Sequence, residues 1–490
     1  MTKPRLPLLE ALGDWSSGTG PRYARLHRAI DAAIASGEIL PGAPLPPERI
    51  LAQALGISRT TVVLAYQQLR QAGRVDSRQG SGTWVRRSPQ DLHPSPQEYD
   101  VTSAFRRNVV FRSLLEHAGD TISLVGAYLS PLPAVEEAMR RLARSPHAGL
   151  GAEPGYSPMG LPALRQAVAA SLSRTDLPTV ADQVLITSGA QQAISLVAGL
   201  LVPRGEAVAV EDPTYIGAID VFSAAGARLL PVPSGPAGVD VGRLRPMLET
   251  RPRLLYLVPT FHNPTGAIMP EASRREIARL AAEFQIPVVE DMALSGLGLG
   301  AAPPPPIAVF AKDAPILTIG SPSKLFWSGL RVGWIRGPEP LIARLGRWKA
   351  LADLGSPLLT QALAVDLLAE ESAAQKLRRR ESQLRLDLLG KLLKQHLPDW
   401  TWQRPEGGLL LWARIPSGDA NDLARIAQRH GVAIVPGSAN SPDHRFADRV
   451  RLPFVADPQS MTEAMLRLAR AWKEYQPLSN RSGGSFDVIV

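Results

Sequence analysis

The chain has 490 residues, 45% of them hydrophobic and 20% charged, with 54 basic against 45 acidic side chains and a formal net charge of +9. That length suffices for two or three domains with ample cores, and the lack of any cysteine excludes a disulfide framework, a thiolate metal site and a cysteine nucleophile. No uncharged apolar run reaches membrane-spanning length and Met1 to Glu10 carry no apolar core of signal-peptide kind, so a cytoplasmic protein without a metal site is expected.

The charge is unevenly spread. Residues 21–87 hold ten arginines against Asp31, Glu38, Glu48 and Asp76, which suggests a polyanion partner for this part; a solvated charged face is the plainer alternative. Tyr23 to Ser36 place Leu26, Ile30, Ala33 and Ile34 on one helical face, ahead of a stop at Gly37. Pro46-Pro47-Glu48 open a second helix. Gly56-Ile57 make a tight turn, and Ser58 caps a third helix that ends at Gly73. Two short helices joined through a glycine turn form a helix-turn-helix. The N-terminal residues of its second helix meet base edges and phosphates, so Arg59 can pair with a guanine while hydroxyls and the helix start take phosphate. Arg74 to Ser77 and Thr83 to Val85 read as strands around a glycine-rich tip, which is a wing. Leu45 to Arg49, Gly56 to Val62, Ala65-Tyr66 and Arg78 to Thr83 together resemble the winged helix-turn-helix of GntR-type transcription regulators. That resemblance covers about residues 20 to 86 and implies that Arg49, Ser58, Arg59, Thr60, Thr61, Arg78 and Gly80 contact double-stranded DNA.

The expected organisation is a DNA-binding domain at 1–87, a proline-rich linker at 88–108 with an unremarkable His93, a larger domain at 109–475, and a flexible tail at 476–490. In the larger domain, strand candidates at Val184 to Thr187, Ala207 to Val210, Leu254 to Val258, Pro287 to Val289 and Ile316 to Ile319 alternate with helical patterns such as Gln191 to Leu201 and Glu271 to Phe284. This is the α/β pattern of a mostly parallel sheet with helices on both faces, and functional residues then gather at the carboxyl ends of the strands. The polar positions fall there. Ser188, Gly189, Ala190 and Gln191 open a helix and suit an anion. Tyr215 can stack on a ring, Asn263 can meet a ring oxygen, and Asp291 can pair with a protonated ring nitrogen. Lys324 is a plausible Schiff-base nucleophile beside Ser321, Ser323 and Arg331. Each alone has a plainer reading as a loop, rim aromatic, turn, cap or surface lysine. Jointly they match the needs of pyridoxal 5'-phosphate (PLP).

Gly155-Tyr156, Gly160 to Arg165, Ser188 to Gln191, Asp212 to Tyr215, Asn263 to Gly266, Asp291, Ser323-Lys324 and Arg331 together resemble fold-type I aminotransferases over nearly all of residues 120 to 470. The resemblance implies an aldimine at Lys324 and a phosphate surrounded by Ser188, Gly189, Ala190, Gln191, Ser321, Ser323 and Arg331. It also implies that Tyr156 reaches the partner subunit's phosphate, hence a homodimer, and that Arg451 receives a substrate or effector carboxylate. One departure is that Met292-Ala-Leu294 supplies no tyrosine where many relatives have one to tune the ring oxygen; another is Pro322, where a bulkier residue is frequent. Gln361 to Leu397 is expected to be helical, with Lys376 to Arg380 as a solvated basic face, leading to a small C-terminal α+β subdomain with strands at Gly408 to Ile415 and Val432 to Val435. The fusion as a whole resembles the MocR subfamily of GntR regulators. That implies a transcription regulator whose aminotransferase-like domain dimerises and senses PLP or a small amine; the alternative is an active aminotransferase with an accessory DNA-binding head.

Overall fold

A computed structural model describes residues 12, 15, 19–35, 38–39, 43–78, 82–86, 120–144, 155–311 and 314–482, with side chains as far as Tyr475 apart from those of Ala35 and Arg78. The expected linker, with His93, and the wing-tip Gly80 lie outside the described residues. The chain divides into two compact units, Met1–Tyr99 and Asp100–Val490.

In the first unit, α1 (Arg22–Ala35) is followed by β1 (Pro44–Leu45), α2 (Glu48–Leu55), α3 (Arg59–Gln71), β2 (Val75–Arg78) and β3 (Gly82–Val85). Gly56 ends α2 in the left-handed region (φ 65°), its N–H donating to the Ala52 carbonyl. Ser58 starts α3 at once, its Oγ accepting from the Thr61 N–H at 3.2 Å. A glycine stop and a serine cap thus fix the sharp angle between the helices. Leu26, Ile30, Leu51, Val62, Leu69, Val75 and Val85 are buried between helices and hairpin. The buried Tyr66 hydroxyl donates to the Pro46 carbonyl at 2.8 Å, tying α3 to the entry of α2. The hairpin acquires a third strand that the sequence reading lacked, because β1 pairs antiparallel with β3. Two residues are too few to show a periodicity.

The second unit comprises β4 (Ile122–Ser123), α4 (Pro133–Arg144), α5 (Pro162–Ser173), β5 (Val184–Thr187), α6 (Ala190–Leu201), β6 (Ala207–Asp212), α7 (Ile216–Ala224), β7 (Arg228–Gly235), β8 (Gly238–Val239), α8 (Val241–Glu249), β9 (Leu254–Leu257), α9 (Glu271–Phe284), β10 (Val288–Asp291), β11 (Ile316–Gly320), β12 (Gly333–Arg336), α10 (Glu339–Asp353), α11 (Leu358–Ala369), α12 (Glu371–His396), β13 (Thr401–Trp402), β14 (Leu410–Arg414), α13 (Ala420–Arg429), β15 (Val432–Ala433), β16 (Val435–Pro436), β17 (Arg449–Pro453) and α14 (Pro458–Ser482). The main sheet has the order β5-β12-β11-β10-β9-β6-β7-β8. Its strands are parallel except β12, antiparallel to both neighbours, and β8, antiparallel to β7. The alternation along β9 shows how both faces are covered. Leu254 and Tyr256 pack in the core shared with α6, α7 and α10, while Leu255 and Leu257 pack in that shared with α8 and α9. Strands buried on both faces read as continuous apolar runs.

Four strands in the order β13-β14-β17-β16 form the C-terminal antiparallel sheet, packed with α12, α13 and α14 around one apolar core. Several expectations change here. Gln361 to Leu397 is two helices parted at Glu370. Val432 to Val435 divides between two sheets, β15 pairing with β4 and β16 with β17. Lys376 to Arg380 is only partly a solvated face, because Arg378 is buried. Finally, α14 continues to Ser482, into the stretch expected to be a flexible tail. Among the described residues no helix is long and apolar enough to cross a membrane.

Arg274 on α9 is fully buried and stitches one end of the main sheet. Its guanidinium donates to the carbonyls of Met269, Pro304, Pro305 and Pro259 and to Thr260 Oγ1, at 2.7–3.1 Å. Replacing it would orphan several buried acceptors at once. Arg274→Met is therefore expected to lower the unfolding free energy of this unit by about 3 kcal/mol or more, read as a fall in urea midpoint. Arg274→Lys should recover little of it, since one ammonium cannot span the same acceptors.

Candidate functional site

The arrangement of β12 builds the site. Because it runs antiparallel between β5 and β11, its first residues lie beside the carboxyl ends of the parallel strands. Gly333 pairs with Thr187 and Gly320 with Trp334. A Cβ on Gly333 would lie 2.7 Å from the Gly189 carbonyl carbon, so only glycine allows this approach. The register sets Arg331 against the start of α6, and its Nη2 donates to the Ser188 carbonyl at 2.7 Å. Gly189 precedes α6 at φ 102°, where a Cβ would meet the Arg331 guanidinium at 3.0 Å. Ser188, Gly189, Ala190 and Arg331 thus form one cradle at a helix N-terminus, the geometry that favours an anion.

Ser321, Ser323 and Lys324 follow the end of β11. Both serine hydroxyls donate to the Val332 carbonyl, at 2.6 and 3.3 Å, which folds the turn back onto β12. Lys324 Nζ donates to the Ala127 carbonyl at 2.8 Å and lies 5.5 Å from the centre of the Tyr128 ring. Burial, then the charges of Arg451 and Arg331, bring its amine down to about 8. The buried Arg378 holds the same turn from α12, donating to the carbonyls of Leu325, Phe326 and Ser130.

Asp291 ends β10. Its Oδ1 accepts from the Ala293 N–H at 2.9 Å and its Oδ2 from the Tyr256 hydroxyl at 2.7 Å. Burial raises its carboxyl above the usual range, and these two bonds oppose the rise. Asn263 Oδ1 is buried without a partner. Tyr215, preceding α7, donates its hydroxyl to Gln191 Oε1 at 2.9 Å, and Gln191 Nε2 donates to the Gly217 carbonyl at 3.0 Å. The Gln191 side chain thus locks the tyrosine ring to α6. Arg451 on β17 is buried, with Nη2 donating to the Val125 carbonyl and Nε without a partner. Burial lowers its guanidinium to about 10. Tyr156, by contrast, is 69% exposed.

In the first unit, Arg49, Ser58, Arg59 and Thr60 are exposed around the start of α3. Arg59 is 70% exposed and ion-paired with Glu48 at 3.1 Å. Ser58 and Thr61 hydroxyls bond each other at 2.8 Å. Arg74 and Arg86 are paired with Asp31 and Asp76, so part of the arginine excess serves the fold. The side chain of Arg78 and all of Gly80 lie outside the described residues.

Sequence reading missed Tyr256, Arg378 and the segment Val125 to Tyr128 that Arg451 and Lys324 hold. Tyr256 stands in an apolar strand and Arg378 in a basic run, so neither carries a local signal. It also missed the buried acid Glu211 beside His262, with His262 Nε2 3.5 Å from Glu211 Oε2. Burial raises that acid to about 8 and lowers that histidine to about 4, leaving both neutral near pH 7.

Residues 124–468 match the family Aminotransferase class I and II, and residues 22–85 match Bacterial regulatory proteins, gntR family. The chain is 33% identical to the HTH-type transcriptional regulator YdfD of Bacillus subtilis, over 85% of this chain and 89% of that protein. It is 29% identical to the probable rhizopine catabolism regulatory protein MocR of Rhizobium meliloti, over 92% and 94%. Among solved structures, LysN, the alpha-aminoadipate aminotransferase of Thermus thermophilus, complexed with N-(5'-phosphopyridoxyl)-L-leucine, superposes with a TM-score of 0.69 at 32% identity, covering 77% of this chain and 98% of that one.

The cationic surroundings of Lys324 have a consequence that needs no ligand. Its reaction with trinitrobenzenesulfonate, followed by peptide mass spectrometry across pH, is expected to reach half its maximal rate near pH 8. A midpoint near the ordinary lysine value of 10.5 would contradict the environment described.

Proposed function

The chain belongs to the class I and II aminotransferase family and carries a gntR-family domain ahead of it, and from that premise we propose that it is a MocR-type, sequence-specific transcription regulator that binds PLP and reads PLP or a small amine as its signal. The observation that carries this reading is the placement of Asn263 after β9, Asp291 at the end of β10, Lys324 after β11 and Arg331 before β12, four neighbouring strands of the main sheet, in a chain that also presents a capped recognition helix. The fit to PLP rests on several features. Asn263 Oδ1 is buried and unpartnered, as an atom awaiting a ligand would be. The Ser188–Gly189–Ala190 turn and Arg331 make a phosphate cradle. Asp291 is a buried acceptor for a ring nitrogen, and Tyr215 offers a ring face.

PLP, when bound, supplies an aldehyde that a primary amine can take up and a ring that withdraws electrons. The chain's own residues prepare for this. Lys324 is held with a depressed amine pKa, so that about a tenth of it is unprotonated at pH 7. Asp291 would accept the hydrogen bond of a protonated ring nitrogen. Ser321, Ser323, Arg331 and the start of α6 would orient the phosphate. The buried Arg451, with an unpartnered Nε, would receive the carboxylate of an amino-acid effector. The exposed Tyr156, with exposed Leu351, Leu354 and Leu359, supports a homodimer in which Tyr156 serves the partner's site. In the first unit, Arg59 would read a base edge, with Arg49, Thr60 and the cap at Ser58 and Thr61 on the backbone. An active aminotransferase is the second reading, favoured by the likeness to LysN; the lack of a tyrosine within three residues after Asp291 weighs against it.

The test uses the full-length chain and duplexes that it selects from a randomised DNA pool. Wild type should take up PLP with a new visible absorption band, and its affinity for the selected duplex should change at least fivefold on adding PLP or a responsive amine. Lys324→Ala should lose the band and the response while retaining DNA binding. A Lys324→Ala protein that responds as wild type does would sink the proposal. Sustained conversion of an amino donor and a keto acid would favour the enzyme reading instead.

A further inference from the structure

Among the described residues, Tyr256 is the fully buried phenol bonded to Asp291 that the proposed function leaves unused. It stands on β9, whose pairing sets it against Val289 of β10, and its ring lies edge-on to Phe222 with centroids 5.8 Å apart. Its hydroxyl gives Asp291 Oδ2 a hydrogen bond of 2.7 Å, while the Ala293 N–H occupies Oδ1. Both side chains are buried, Tyr256 completely. A buried carboxylate is costly unless donors surround it, and donors to the charged form favour that form. No cation lies within ion-pair distance of Asp291 among the described residues, so Tyr256 is the only side-chain donor there to do this.

We propose that Tyr256 is a positioning residue for the cofactor site: by donating to Oδ2 it keeps Asp291 ionised and aimed, and so sets the pH range over which the site holds a pyridinium nitrogen. This rests on the PLP-binding reading above and adds to it a residue on the strand next to the one that carries Asp291. The phenol itself never loses its proton in the working range, because burial and the charge of Asp291 push it far up. Its proton therefore stays available to donate to Asp291. The other titratable groups bearing on the pair are Tyr215, before α7, and Glu211, on β6. Burial holds both protonated near neutral pH, so neither places a charge beside Asp291, and the Tyr215 hydroxyl is already given to Gln191.

The sign follows from linkage. Removing the hydroxyl raises the Asp291 pKa, so Asp291 becomes neutral at a higher pH and PLP affinity is lost sooner on acidification. Above that range Asp291 is ionised with or without the phenol, and the affinities converge. The experiment is PLP binding by the full-length chain, measured by spectral titration between pH 5 and 9, for wild type and Tyr256→Phe, which keeps the ring and its contact with Phe222. The expected result is an acid limb moved up by about one pH unit, with roughly tenfold weaker binding on that limb and equal affinity at the alkaline end. Superimposable curves would overturn the inference, as would uniform weakening at every pH, the mark of a packing defect alone. In either case wild type still binds, and the proposed function stands. Failure of wild type to take up PLP at any pH would overturn that function and this inference together.

Discussion

Three cationic side chains, Lys324, Arg331 and Arg451, converge in the second unit, and none has a carboxylate within ion-pair distance among the described residues. Lys324 and Arg451 are depressed by burial, and all three are held instead by main-chain carbonyls, of Ala127, Ser188 and Val125. Carbonyl dipoles orient a cation without neutralising it, so the charge stays available to a ligand. The only buried carboxylate assigned to the site, Asp291, is satisfied by a phenol and a backbone amide rather than by these cations. The cationic groups and the carboxyl are thereby kept apart. That polarity suits a ligand anionic at one end and bearing a basic ring nitrogen at the other.

The geometry depends on backbone more than on side-chain chemistry. β12 turns against its neighbours so that the loop before it, with Arg331 in the left-handed region at φ 50°, shares an edge with the strand ends of β5 and β11. Gly333 and Gly189 permit that contact because neither has a Cβ to intrude. Arg378 reaches from α12 to the carbonyls after Lys324, and β17 brings Arg451 in from the C-terminal sheet. The site therefore draws on the main sheet and on the C-terminal four-stranded sheet.

Much of this was legible in the sequence. The apolar runs at Val184, Leu254 and Ile316 announced buried strands, since strands covered on both faces need apolar side chains on both. Gly56 and Ser58 marked the helix-turn-helix angle, because a left-handed stop and a hydroxyl cap are local requirements. The polar residues at strand ends stood out as a set. The two-residue strands β1 and β4 were not legible because two residues carry no usable period, and the reversed direction of β12 was not because pairing partners come from distant chain.

The residues that tune the site were harder still. Tyr256 looks like any aromatic in a strand core until β10 is laid beside β9, and Arg378 looks like one more charge in a basic run until α12 packs on the Lys324 turn. Sequence alone determined the two-part organisation, the helix-turn-helix and the residues at the strand ends, because propensity, capping and burial periodicity are properties of neighbours along the chain. Only the tertiary structure decided which phenol donates to Asp291, which carbonyls hold Lys324 and Arg451, and which arginine is buried. Those partners lie tens to hundreds of positions away, and only the sheet register and helix packing bring them within a hydrogen bond's reach.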